Sequence, residues 1–234
     1  MANGTFASRT LRFYKSLRAP KVPRGFEVMN PYRDRKVLRH LETFLDKYLD
    51  DNRQRLLVIG INPGRFGAGI TGVTFTDPVA LEDFCGIPNH LARRRELSSI
   101  FVYDVVERLG GAAAFYRSVF LSAICPLGFT KSGKNVNYYD DRALEKAVTP
   151  FIVRSMDRQI GLGCRTDHVV VLGRSANAKY LRRMNELHGW FEQVHVLDHP
   201  RPIMQYRRKR VEEYVREYAE VIGAITKSEN RAAS

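Results

Sequence analysis

The sequence predicts an α/β protein, a three-layer α/β/α sandwich around a central, mainly four-stranded parallel sheet. Four short apolar runs of strand length are spaced along the chain, and apolar residues recur at helical spacing between them. Strands that alternate with helices form parallel sheets with helices on both faces. The chain has 234 residues and 44% hydrophobic content, enough for one sizeable core, so we expect a single domain over residues 1–234.

Residues 1–50 predict a helical extension before the sheet. Asn30 followed by Pro31 is typical of a helix N-cap with proline in the first turn, and apolar residues then recur at helical spacing. The continuous apolar run over 56–61 predicts the first strand, covered on both faces.

The rest of the chain continues the alternation of helix and strand. The predicted elements are a short helix capped by Asp77, a helix from Ser98 or Ser99 to Gly110, a strand over 119–125, a helix over 140–160 with a break or kink at Pro150, a strand over 168–173, a helix over 174–187, a strand over 194–198 and a closing helix over 203–225. Residues from about 227 to 234 form a polar tail.

The charge favours a polyanionic partner. Lysine and arginine total 38 against 25 acidic residues, which gives a formal net charge of +13. Arginine-rich clusters at 93–95, 182–183 and 207–210 are too short to be disordered tails and indicate patches on a folded surface. Nucleic acid is the obvious candidate partner, although charge alone leaves this open because basic proteins without such a partner are common.

The cysteines and the apolar segments exclude several classes of protein. Cys85, Cys125 and Cys164 are odd in number, widely spaced and without a C-x-x-C pair, so we expect buried, reduced thiols and no metal or other cofactor. No segment reaches the roughly 18 apolar residues that a membrane span needs, and the N-terminal residues lack the apolar run of a signal peptide. We therefore expect a cytoplasmic protein that meets no membrane. We also expect a monomer and, with nucleic acid as the candidate partner, association with the nucleoid through DNA.

Ligands of parallel sheets bind outside the carboxyl ends of the strands. The residues that follow the four predicted strands are 62–64, 126–128, 173–175 and 199–201, and they supply glycines or a histidine. Residues 67–72 also fit the dinucleotide pattern G-x-G-x-x-G. We discount this pattern because β-branched residues and a proline follow it where the phosphate-binding helix would run, and no Walker lysine is present.

Three segments carry a resemblance to a known family. "GINPGRFGAGITGVTF" (60–75) is similar, without gaps, to the first motif of the single-strand-selective monofunctional uracil-DNA glycosylases, a branch of the uracil-DNA glycosylase superfamily. "CPLGFTKSGKN" (125–135) and "HPRP" (199–202) resemble two later motifs in the same order. The resemblance implies a base-excision-repair enzyme that flips uracil out of single- or double-stranded DNA and hydrolyses its N-glycosidic bond with water, leaving an abasic site.

The resemblance assigns catalytic roles to two residues and a stacking role to a third. Asn62 would orient the attacking water, His199 would donate a hydrogen bond to uracil O2, and Phe75 would stack on the flipped base. The residues alone leave other interpretations open. Asn62 could form an Asx turn before Pro63, His199 could be structural, and Phe75 could belong to the core.

The remaining expected contacts involve the pocket wall and the DNA backbone. The Ile61 backbone and Gly64 would complete the wall of the base pocket. The candidates for phosphate contacts are Arg65, Ser132, Lys134, Ser175 and Arg201.

Two departures from the family pattern indicate a divergent, bacterial branch. Ala123, preceded by Ser122, stands where the family has an asparagine that reads the uracil edge, so we expect backbone groups and the Ser122 hydroxyl to take over this reading. The segment after His199 differs from the family's wedge loop, and either residues 204–206 act as the wedge or none exists. Two other functions stay open: an α/β enzyme acting on free nucleotides, and a catalytically inactive DNA-binding module on the same fold.

Overall fold

The structure is a computed structural model that describes residues 4–232, with the side chains of residues 4–227. Its helices and strands are, in chain order, α1 (Phe6–Lys15), β1 (Phe26–Met29), α2 (Arg35–Leu49), β2 (Arg55–Gly60), α3 (Ala68–Thr71), α4 (Pro78–Asp83), α5 (Leu97–Arg108), α6 (Gly111–Ser118), β3 (Val119–Ala123), β4 (Gly128–Lys131), β5 (Lys134–Val136), α7 (Arg142–Ile160), β6 (Cys164–Leu172), α8 (Ala176–His188), β7 (Gln193–Leu197), α9 (Pro200–Tyr206) and α10 (Val211–Ala232).

The central sheet confirms the predicted fold class. Strands β3, β2, β6 and β7 lie side by side in that order, and every neighbouring pair is parallel. All six residues of β2 are buried, as expected for a strand covered by helices on both faces. The chain leaves β2 for β3 on one side and later places β6 on the other, so the strand order reverses at β2 and creates a crevice at its carboxyl end.

A second, antiparallel sheet was not predicted. It has the order β1-β4-β5, and β4 and β5 form a hairpin. Ser132 and Gly133 at the hairpin turn have φ values of 50° and 69°, and a two-residue turn with positive φ at both positions matches the twist of the flanking strands. The Ser-Gly pair was the available signal, but strands of four and three residues carry little periodicity.

Residues 4–50 form helices and a strand that pack against the rest of the fold. Strand β1 pairs with β4, and the rings of Phe6 in α1 and Phe120 in β3 meet edge to face at 5.2 Å. Asn30 does not cap α2: its side chain accepts from the Tyr32 amide at 3.1 Å and caps a short 3₁₀ turn. Asp34 caps α2 instead, at 2.7 Å from the Lys36 amide.

The helices differ from the prediction in three places: an additional helix, a helix without the predicted break, and a closing helix that is divided in two. Gly110 and Gly111 both have positive φ, and after them the chain forms the unpredicted helix α6. Helix α7 continues through Pro150 without a break, and the Thr149 hydroxyl donates to the Glu145 carbonyl at 2.8 Å in the preceding turn. The closing helix is divided into α9 and α10 by a 3₁₀ turn over Arg208–Arg210, and the α10 backbone extends to Ala232 through most of the predicted polar tail. Residues 233–234 lie outside the described residues.

The structure also shows where the cysteines lie and whether any helix could span a membrane. Cys85, Cys125 and Cys164 are free and buried, as predicted, and burial raises the pKa of each thiol. None of the helices within residues 4–232 is long and apolar enough to cross a membrane.

Candidate active site

A cavity of about 390 Å³ lies at the carboxyl ends of the four parallel strands, and every strand contributes to its wall. Asn62 follows β2, Ala123 ends β3, Ser175 follows β6 and His199 follows β7. Because the strand order reverses at β2, these four ends surround the crevice in which α/β proteins bind ligands. The backbone of Ile61, together with Gly64, Phe75 and Arg201, also lines the cavity.

Asn62 is held by the second sheet and not by its own turn. Its Oδ1 accepts from the Tyr138 amide at 3.2 Å, and its Nδ2 donates to the Val136 carbonyl at 3.4 Å. These bonds differ from an Asx turn, in which Oδ1 would accept from an amide two residues on. A carboxamide has two acceptor sites and two donor hydrogens, so Asn62 keeps one of each for a ligand while its orientation is fixed.

Phe75 packs directly on a glycine at the end of β2. A Cβ at position 60 would lie 2.6 Å from Phe75 Cζ, so Gly60 leaves the space that the ring occupies. The Phe75 ring is partly buried, lines the cavity and lies 5.9 Å from the His199 ring, centroid to centroid. Phe75 also has φ 55°, a left-handed conformation that is costly for a bulky residue and clusters at ligand sites.

His199 lines the cavity with an imidazole whose pKa is lowered. It precedes α9, and its Nδ1 accepts from the Arg201 amide at 3.2 Å. An accepting Nδ1 assigns the proton of the neutral ring to Nε2. Burial, followed by the positive charge of Arg201, lowers the pKa of His199 to about 4, so the imidazole is uncharged at neutral pH.

Ser122 lies outside the cavity, where it does not support the predicted role in reading the base. Its side chain is completely buried, its hydroxyl donates to Gln159, and it lies 3.4 Å from the Tyr14 hydroxyl. Successive residues of a strand point to opposite faces, so Ser122 faces the core, whereas Ala123 lies in the cavity wall.

Three of the candidates for phosphate contacts do not line the cavity. Arg65 lies on the loop after Gly64, with its guanidinium 5.1 Å from the Phe66 ring centroid and its Nε buried without a hydrogen-bond partner. Ser132 and Lys134 lie at the exposed turn of the β4–β5 hairpin. Ser175 and Arg201 line the cavity, as the remaining candidates.

Several polar side chains of the cavity were not predicted, because they reach it from loops, from helices and from the second sheet rather than from the ends of the parallel strands. They are Glu96, Ser98, Asn135, Asn137, Tyr139 and Gln205. The K-N-V-N sequence (134–137), which overlaps the end of the second motif, was a usable signal for the two asparagines. No local sequence pattern predicted that Glu96 lies in the cavity, because it follows an arginine cluster and resembles part of a charged surface loop.

Several arginines of the basic clusters form surface ion pairs, such as Arg93 with Glu82, Arg183 with Glu145 at 2.6 Å and Arg210 with Glu213 at 2.8 Å. Within the described part of the chain, no group of three or more histidine, cysteine, aspartate or glutamate side chains could hold a metal ion.

The fold and the cavity agree with the comparisons with known proteins. The chain belongs to the uracil DNA glycosylase superfamily, whose family model matches residues 47–223. Within that superfamily it is similar to a solved structure, "The crystal structure of WT Pedobacter heparinus SMUG2", with a TM-score of 0.93, 40% sequence identity and coverage of 95% of this chain and 99% of that chain. The predicted resemblance to the single-strand-selective monofunctional type is thereby confirmed. No curated protein matches the chain significantly.

Proposed function

We propose that this protein is a monofunctional uracil-DNA glycosylase that flips uracil out of DNA and hydrolyses its N-glycosidic bond, leaving an abasic site. Its superfamily and its similarity to SMUG2 support a DNA glycosylase. The observation that carries the finer proposal is that Asn62, Phe75 and His199, which come from three distant segments, line one cavity at the carboxyl edge of the sheet.

We assign each of the three residues one part of the reaction. The flipped base stacks on the exposed part of the Phe75 ring, and the Nε2–H of His199 donates to uracil O2 as negative charge develops on the leaving base. A neutral imidazole suits this role, because it donates a hydrogen bond without requiring acidic pH. Asn62 uses its free donor and acceptor sites to orient the attacking water.

The uracil edge is read without the family's asparagine. Ala123 offers no polar side-chain group, and the Ser122 hydroxyl is committed to Gln159 in the core. We assign the reading to backbone groups and to the amides of Asn135 and Asn137, since an amide can accept from uracil N3–H and donate to O4. Asn137 is held in place by Asp140, which accepts from its backbone and side-chain nitrogens at 2.8 and 3.3 Å.

The net charge of +13 supports DNA as the partner, with Ser175 and Arg201 at the cavity and Arg65, Ser132 and Lys134 farther out as phosphate contacts. An enzyme for free nucleotides would leave this charge unused. We propose a monomer that needs no cofactor, because the water, the donor and the stacking ring all come from solvent or from this one chain.

The test is release of free uracil from single- and double-stranded uracil oligonucleotides, with dUMP as a parallel substrate. We expect uracil and an abasic strand from both oligonucleotides, and a loss of roughly 10- to 1000-fold in the single-turnover rate of Asn62→Ala. Asn52→Ala is the matched control, because Asn52 is exposed near the opposite end of β2 and bonds Arg9. Turnover of dUMP alone would favour the free-nucleotide enzyme, and oligonucleotide binding without release would favour the inactive module.

A further inference from the structure

Glu96 places an unassigned carboxyl group in the cavity wall. It directly precedes α5, but its side chain does not cap that helix and accepts no hydrogen bond from any described residue. Its oxygens instead lie against the glycine-rich loop that follows Asn62. Oε1 is 3.4 Å from the position of a Cβ on residue 64, and Oε2 is 2.1 Å from that of a Cβ on residue 67.

The backbone of Glu96 is fixed by the two helices that begin beside it. The Glu96 amide donates to Asp77 Oδ2 at 2.7 Å, and Asp77 Oδ1 caps α4 by accepting from the Ala80 amide at 2.8 Å. The Asp77 amide in turn donates to Ser99 Oγ in α5 at 3.2 Å. These hydrogen bonds fix the backbone from which the Glu96 carboxyl group extends into the cavity wall.

The proposed hydrolysis needs a proton acceptor that the assigned residues do not supply. As the water oxygen bonds to C1′, the water must lose a proton, and the carboxamide of Asn62 can orient the water without becoming protonated. His199 is occupied as a donor to the base. The other titratable groups in the wall are Arg201, a cation, and Tyr139, whose pKa burial raises to about 12, so neither is a base at neutral pH.

We propose that Glu96 is the general base of this glycosylase, an inference that rests on the proposed function. The water that Asn62 orients forms the C1′–O bond while its proton passes to the Glu96 carboxylate. The electron pair of the breaking C1′–N1 bond leaves with uracil, which His199 stabilises. Glu96 then returns its proton to the uracil anion or to solvent, so the step balances without a co-reactant.

The surroundings of Glu96 suit a base. Burial raises the pKa of the Glu96 carboxyl, Asp77 at the start of α4 raises it further, and Arg201 in α9 opposes both by favouring the charged form. A general base acts best when its pKa approaches the working pH without exceeding it.

The test compares single-turnover excision by wild type, Glu96→Gln and Glu107→Gln over a pH series, with oligonucleotide affinity measured separately. Glu107 is an exposed glutamate near the end of α5, the helix that Glu96 precedes, and Glu107→Gln removes the same charge as Glu96→Gln. We expect Glu96→Gln to lose about 100-fold or more in rate with unchanged or tighter DNA binding, and Glu107→Gln to match wild type. The wild-type rate should fall as acid protonates Glu96, whose pKa burial raises, and Glu96→Gln should lack this decline.

The outcomes separate the two proposals. No excision by wild type removes the proposed function itself. If wild type excises uracil and Glu96→Gln excises it at the same rate, Glu96 is not the general base. The same conclusion follows if Glu96→Gln is slow but its rate still falls in acid. Either outcome leaves the proposed glycosylase function in place. Glu96→Asp serves as a second variant if Glu96→Gln melts early, and it should keep the acid decline at a reduced rate because its carboxylate is withdrawn by one methylene.

Discussion

Phe75 offers the sharpest test of how the cavity holds a base. Its ring rests on Gly60 and lies 5.9 Å from the His199 ring, with part of its surface open to the cavity. Phe75→Ala removes this surface and leaves the polar groups of the wall in place. Stacking of a base on an aromatic side chain is worth about 1–3 kcal/mol, so we expect kcat/KM for uracil excision to fall roughly 5- to 150-fold.

The backbone at Phe75 adds a second, independent expectation. Its φ of 55° is unfavourable for any residue with a Cβ, and Phe75→Ala retains that cost. Phe75→Gly adopts the same conformation freely, so we expect it to be more stable than Phe75→Ala by about 1 kcal/mol, after allowance for glycine's larger loss of entropy on folding. The two variants should nevertheless excise uracil equally slowly, because both lack the ring.

The assay is single-turnover excision at limiting and saturating enzyme, paired with thermal unfolding. Phe84→Ala is the matched control, because Phe84 is also partly buried but contacts Tyr103 at 5.1 Å between centroids, away from the cavity. It should lower the melting temperature and spare excision. If Phe75→Ala behaves in the same way, Phe75 is a packing residue and the stacking argument is wrong.

Further predictions follow from the same site. Ala123→Asn should raise uracil excision about two- to tenfold, since one added hydrogen bond is worth about 0.5–1.5 kcal/mol; loss of single-turnover excision in a folded variant would contradict this. Gly67→Ala should slow excision, because a Cβ at position 67 displaces the Glu96 carboxylate. Adding Glu96→Gln to this variant should lower the excision rate little further, and a double-mutant cycle of single-turnover rates tests this. The pKa of His199 is lower in the folded protein, about 4, than in the unfolded chain, about 6.5. The unfolded state therefore takes up this proton first as the pH falls. Between about pH 6.5 and 4, the free energy of unfolding measured with denaturant should fall more for wild type than for His199→Gln. DNA affinity should fall steeply with added salt, and a flat response would argue against phosphate contacts.

The main sheet could be predicted because burial on both faces requires unbroken apolar runs, and the 56–61 run corresponds to the fully buried β2. The second sheet could not, because β4 and β5 are short and depend on β1, which is distant in sequence. The Ser-Gly turn is a local signal for the β4–β5 hairpin, but the pairing of β1 with β4 depends on tertiary packing.

The site shows the same division. The places of Asn62 and His199 in the cavity wall could be predicted because each lies just beyond the end of a strand, and the sheet brings these ends together. Ser122 was misplaced because a shift of one residue along a strand moves a side chain to the opposite face. Glu96 was missed because its place in the cavity depends on where α5 begins relative to a loop thirty residues away in the chain.

The glycine-rich loop after β2 is explained by the side chains that approach it from outside. Gly60 leaves room for the Phe75 ring, and Gly64 and Gly67 leave room for the Glu96 carboxyl group, which a Cβ at position 67 would meet at 2.1 Å. In a phosphate-binding loop, glycines let the backbone approach a pyrophosphate. Here the glycines let the Phe75 ring and the Glu96 carboxyl group pack against the backbone. The groups that approach the glycines are thus side chains of this protein and not the phosphates of a ligand.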